Sequence, residues 1–161
     1  MIEIPYKRFD ALKYAKKWAY SRNPKYYDFG DIGGDCTNFI SQCLYAGVGV
    51  MNYTPVYGWY YRSVADRSPS WTGVEFLSDF LLNNKSVGPF GSLTDAGKAE
   101  PGDIIQLGNE DGNFYHSLII TEVSPEILVA THSFNAFNRP LSSYDYDTIQ
   151  FIHIEGARIY F

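Results

Sequence analysis

From Phe9 to Tyr20 the apolar positions Phe9, Leu12, Ala15 and Ala19 recur at helical spacing, and Asn23-Pro24 closes the run. This pattern predicts a first amphipathic helix. A turn rich in glycine at Gly30, Gly33 and Gly34 leads to Asp35, a residue suited to N-capping, and then to the segment Cys36 to Gly47. There Cys36, Phe39, Ile40, Cys43 and Leu44 fall on one stripe, which predicts a second helix with Cys36 in its first turn and Gly47 as its stop. Between Val48 and Arg67 no period is sustained, and the crowding of Tyr53, Tyr57, Trp59, Tyr60 and Tyr61 reads as an ordered surface excursion. Ser70 is placed to cap a third helix ending at Leu82, with Trp71, Val74, Phe76, Leu77 and Phe80 as its apolar content.

After Pro101-Gly102 the pattern changes to short runs rich in β-formers at Asp103–Leu107, Tyr115–Val123, Ile127–Phe134 and Thr148–Ile154, separated by Gly, Asn, Asp and Pro. Helices first and strands second predict an α+β fold with an antiparallel sheet. No repeat or low-complexity tract interrupts it, and the 161 residues suit one domain spanning 1–161.

Hydrophobic content of 45% and aromatic content of 17% exclude disorder. A formal charge of -5 with no basic run leaves nothing to neutralise phosphates, so nucleic acid is excluded as a partner. The Met1-Ile-Glu-Ile-Pro start lacks the charged and apolar regions of a signal peptide, and no apolar stretch has the length of a membrane span. The two cysteines lie on one predicted helix, where seven residues separate their Cα atoms by roughly 10 Å, beyond disulfide reach. Both thiols are therefore expected to be free.

A thiol in the first turn of a helix lies near the positive end of the dipole and beside unpaired N–H groups, which favour thiolate and offer an oxyanion site. That makes Cys36 the candidate nucleophile; Cys43, two turns further on, gains neither benefit. Alone, Cys36 would read as one more small core residue. The candidate base is His116, on one strand face with Leu118 and Ile120. His132 shares a face with Leu128 and Ala130, and a hairpin centred on the Ser124-Pro125 turn would set it opposite His116, where it could orient the ring. A Cys36–His116–His132 relay for acyl transfer follows, with His132 open to the alternative of an ordinary core histidine and Asn135 or Asp103 as substitutes for the third role. His153 reads as structural.

The stretch from Asp35 to Gly47 resembles the nucleophile motif of the bacterial putative amidase domain family, a relative of the CHAP and NlpC-type cell-wall cysteine hydrolases. The blocks Asn23–Phe29, His116–Thr121, and Thr131-His132 through Asn138–Tyr144 are also similar to that family, so that the resemblance covers nearly the whole chain. It implies a papain-like α+β fold and a cysteine amidase or peptidase with catalytic Cys36 and His116 and a polar third residue at His132. It also implies action on peptidoglycan or a similar peptide amide, no metal or cofactor, a monomer, and an extracellular or cell-wall location.

Three other readings compete. Cys36, His116 and His132 suit zinc as a ligand set, but no compact ligand spacing supports it. A binding module without turnover would use the Tyr53–Tyr61 aromatics to grip cell-wall sugar or peptide; an acyltransferase would use the same Cys–His pair with a different acceptor.

Overall fold

A computed structural model describes residues 1–161, and its architecture is α+β with every strand pair antiparallel. In chain order the elements are β1 (Ile2–Ile4), α1 (Arg8–Trp18), α2 (Cys36–Val48), β2 (Tyr61–Ser63), β3 (Asp66–Arg67), α3 (Pro69–Thr72), α4 (Val74–Asn83), β4 (Gly88–Thr94), β5 (Ile104–Gly108), β6 (Phe114–Glu122), β7 (Leu128–Thr131), β8 (Ala136–Pro140) and β9 (Thr148–Ile159). No helix is long and apolar enough to cross a membrane.

Strand β9 organises the main sheet. Its residues 157–158 pair with both β1 and β4, and 151–152 pair with both β4 and β5. Strand β4 therefore runs along one edge of β9, while β5 and β1 share the other. From β5 the sheet continues through β6 and β7 to β8. Alternation along the strands divides the core in two. Ile104, Ile119, Ala130 and Ile152 face the helices; Ile105, Leu107, Leu118, Ile120, Val129 and Phe151 face a smaller cluster on the opposite side.

Helix α2 is the central element between the sheet and the other helices. The expected stripe of Phe39, Ile40, Cys43 and Leu44 packs on Ile119 and Ala130, but the helix is buried on every side from Cys36 to Leu44. Its polar residues are consequently paired. Ser41 Oγ donates to the Trp71 carbonyl (2.9 Å) and accepts from Trp59 Nε1 (3.1 Å), and Gln42 Oε1 accepts from the Tyr14 hydroxyl. Each such group left unpaired would cost about 1–3 kcal/mol.

Several local expectations are corrected by tertiary context. Gly47 lies inside α2 against the Tyr6 ring, where a Cβ would collide, and the helix stops instead at Gly49 with φ of 69°. The third helix is two helices broken at Gly73, and Ser70 Oγ donates to the Gly58 carbonyl rather than capping. The segment 48–67 is no mere surface excursion, because Trp59 is buried against Trp71 and Phe80, Tyr60 is buried as well, and the β2–β3 hairpin lies within it. Strands β4 and β8 have no counterpart among the predicted elements; they contain Gly88, Pro89 and Gly91, and Asn138 and Pro140, residues poor in strand propensity.

Candidate active site

The first turn of α2 meets the sheet where β7 has ended. Pairing of β6 with β7 begins at Ile119↔Ala130, so the edge of β6 before that point is uncovered. Here Ser117 turns both backbone groups outward: its carbonyl accepts from Thr131 Oγ1 (2.9 Å), and its N–H reaches the Cys36 sulfur. Thr37 Oγ1 and Ser117 Oγ are 2.9 Å apart, which fastens the helix start to the strand. Intrahelical bonding begins with Phe39 N donating to the Asp35 carbonyl (3.0 Å), leaving the N–H groups of Cys36, Thr37 and Asn38 without carbonyl partners.

Cys36 and His116 line one cavity of about 470 Å³, together with Gly34, Ser133, Phe134, Arg139 and Tyr144. A larger depression of about 610 Å³, around Asn52, Tyr57, Phe76 and Asp79, contains neither thiol nor imidazole. The candidate chemistry therefore lies in the smaller cavity. His116 is the third residue of β6 and pairs with Leu107 of β5. Its ring centroid is 6.1 Å from that of Tyr144. Burial, assisted by the Arg139 charge, pushes the imidazole down to about 4, so His116 is neutral at pH 7 and able to take a proton.

The helix-end thiolate expected from sequence is corrected on electrostatic grounds. Burial raises the Cys36 thiol above its ordinary value, and the bonds from Ser117 and Thr37 only partly offset this, with the Asp35 carboxylate adding to the rise. The cavity thus holds a protonated thiol and a neutral imidazole, and the helix dipole alone does not make Cys36 a thiolate. Cys43 is fully buried, free and pushed still higher.

His132 does not stand opposite His116. The pairing Ile119↔Ala130, followed by a bulge between Ile120 and Glu122, brings His132 level with Ser117 when the register is continued. A shift of one residue exchanges the faces of a strand, and so the two imidazoles point to opposite sides of the sheet. His132 instead stacks on Phe39 (centroids 4.0 Å apart), with Nδ1 at 2.6 Å from Asp35 Oδ2 and Nε2 at 2.8 Å from the Trp18 carbonyl. The substitutes fare no better as partners for His116. Asp103 is held by Arg8 and His153, and Asn135 Oδ1 accepts from Arg22. His153 is structural as expected, tied with Arg8 to Asp103.

Asp35 has a role that its sequence position concealed. Its side chain makes no cap; it is fully buried, with Oδ1 accepting from Phe29 N (2.9 Å) and Asn38 Nδ2 (2.8 Å) and Oδ2 facing His132. Burial alone would raise this carboxyl, but the bonds from His132, Asn38 and Phe29 outweigh it and hold the group below its ordinary value. Both His132 nitrogens thus face oxygen acceptors, one of them on a buried carboxylate that Arg22 Nε also approaches at 3.4 Å. Asp35 N also donates to Ser133 Oγ (2.8 Å). Ser133 and Phe134 adopt φ of 58° and 71°, a left-handed pair that L-residues rarely enter, and the turn they form makes one wall of the cavity.

The model of the family described as "Putative amidase domain" matches residues 5–155. Two relatives come from Bacillus subtilis (strain 168). The uncharacterized protein YhbB is 38% identical over 118 residues, covering 71% of this chain and 37% of the relative. The uncharacterized protein YjcM is 28% identical over 145 residues, covering 84% of this chain and 32% of the relative. The chain thus spans about a third of the length of these curated relatives. No solved structure matches it. With nearly all of its length matched by the family model, the chain belongs to the putative amidase domain family.

Proposed function

We propose that the chain is a cysteine-dependent amide hydrolase acting on peptide amides, with peptidoglycan as the substrate, and that its α+β core is of papain-like type. The observation that carries this reading is the meeting of Cys36, at the start of a buried helix, and His116, a neutral imidazole, in a single cavity beside unpaired helix N–H groups. Membership of an amidase family supports the bond type; the likeness of the Asp35–Gly47 motif to cell-wall cysteine hydrolases supports the substrate. A wall substrate would place the protein outside the cell or in the wall.

In this mechanism His116 takes the Cys36 proton as the sulfur adds to the amide carbonyl, and the developing oxyanion is received by N–H groups of the first turn of α2. His116 then delivers the proton to the leaving nitrogen, the C–N bond breaks, and a thioester remains on Cys36. Water, deprotonated by His116, adds to the thioester and releases the acid and the thiol. Asp35 and His132 act as positioning residues for the helix start, not as a third member oriented on His116.

Digestion of purified peptidoglycan, with the new termini identified by mass spectrometry, tests the reading. Cys36→Ala and His116→Ala should abolish release while remaining folded. Comparable release by wild type and Cys36→Ala would overturn it. Release of new amide conjugates in place of free acids would assign the activity to acyl transfer.

A further inference from the structure

Two formally charged residues line the cavity that holds Cys36 and His116, namely Arg139 and Asp145, and they do not pair with each other or with any other charged group. Asp145 is exposed to solvent, where an unpaired carboxylate costs nothing. Arg139 is different, because its guanidinium is held in place. Nε donates to Ser143 Oγ (2.7 Å), Nη2 donates to the Ser143 carbonyl (3.2 Å), and the guanidinium carbon lies 3.9 Å from the centroid of the Tyr144 ring. Ser143 Oγ is itself fixed by donating to the Pro140 carbonyl (2.7 Å).

These supports use one edge of the fork. A guanidinium has about five N–H donors; Ser143 takes one on Nε and one on Nη2, the Tyr144 hydroxyl lies within the guanidinium's reach, and the remaining donors have no protein acceptor. The group is therefore a fixed cation with an unused planar face of donors, next to the ring it already influences electrostatically. The chain carries a net charge of -5, so an anion gains nothing from the overall field and must be selected by a local cation.

We propose that Arg139 is the specificity residue of this cleft, and that the substrate amide carries a free carboxylate which the Arg139 guanidinium receives beside Cys36 and His116. The inference rests on the assignment of Cys36 and His116 as the reacting pair and adds the chemical class of the substrate. A planar carboxylate matches the fork in a two-bond geometry that Lys cannot reproduce. Because Ser143 and Tyr144 hold the guanidinium beforehand, little side-chain freedom is lost on binding. The carboxylate has two possible sources in a peptide, an acidic side chain or a chain terminus.

Two measurements test this. In the first, wild type, Arg139→Gln and Arg139→Lys are assayed on matched peptides bearing an acidic side chain, a free C-terminal carboxylate, or the amide of either. Wild type should prefer one carboxylate form over its amide by roughly tenfold in kcat/KM, equivalent to about 1.4 kcal/mol. Arg139→Gln should lose that preference, and Arg139→Lys should regain part of it. The peptide whose amidation matters identifies the source; equal rates on acids and amides in wild type would overturn the proposal. The second measurement needs no turnover. Cys36 is alkylated with iodoacetate and with iodoacetamide, and the ratio of rates is divided by that of a small free thiol. A normalised ratio above one in wild type that falls several-fold in Arg139→Gln supports the cation's role; the same ratio in both proteins refutes it. Should Arg139→Gln fail to fold, decline of the wild-type ratio with added salt decides instead, since screening weakens a charge effect and not a steric one. If no peptide amide is cleaved, amide hydrolysis falls while the alkylation ratio still judges the anion site.

Discussion

Asp35 offers the sharpest test of how the helix start is held, because two substitutions of similar size should behave differently. Asp35→Ala removes the buried carboxylate that faces Arg22 and His132, and strands the Phe29 and Asn38 donors. Breaking a buried ion pair from one side costs about 3–5 kcal/mol, against a total stability of about 5–15 kcal/mol for a domain. Asp35→Asn preserves the pattern of bonds. The carbonyl oxygen keeps Phe29 and Asn38, which both bond to Oδ1, and the amide nitrogen takes the place of Oδ2 before His132 Nδ1 and Arg22 Nε. The expected loss is about 1–2 kcal/mol, that of one charge-assisted bond replaced by a neutral one. Both variants should also differ from wild type with pH. In wild type the Asp35 carboxyl is held below its ordinary value of 3.8, so its stabilisation is complete above that value and is lost as pH falls through the lower folded value. Neither variant carries that carboxyl, so both should lack this acid limb. Urea denaturation at pH 7 and melting temperatures between about pH 3 and 8 measure both effects. Equal losses in the two variants, or an unchanged acid limb in Asp35→Asn, would refute the buried ion pair.

Other expectations follow from the same geometry. At neutral pH iodoacetamide should modify Cys36 slowly, faster as pH rises, and Cys43 more slowly still; rapid pH-independent labelling of Cys36 near pH 6 would instead indicate a preformed thiolate. Since burial and Arg139 hold His116 near 4, the acid limb of kcat/KM should lie near pH 4, and Arg139→Gln should move it upward by removing the smaller of the two causes. Gly47→Ala should lower stability by about 1–3 kcal/mol by forcing a methyl group against the Tyr6 ring, as measured by urea midpoint. Cys43→Ser places a hydroxyl in a fully buried site and should cost about 1–3 kcal/mol in the same assay without altering kcat.

What the sequence determined by itself rests on local physics. Helical periodicity marked α1 and α2, alternation marked β5, β6, β7 and β9, and the glycine-led approach to Cys36 marked a helix-start thiol, because each of these signals is written within a few turns of chain. Cys36 and His116, which line one cavity, were also singled out, since a thiol at a helix start and a histidine at a strand start are both local features. Tertiary structure decided the rest. Strands β4 and β8 exist because β9 and β7 offer partners to backbone whose Gly, Pro and Asn content forms no strand alone. The fate of His132 turned on a bulge and a one-residue register, which no period can specify but which chose between facing His116 and facing Asp35. The state of the Cys36 thiol was likewise decided by burial, a collective property of α1, α2 and the sheet, and it reversed the expectation drawn from the helix dipole alone.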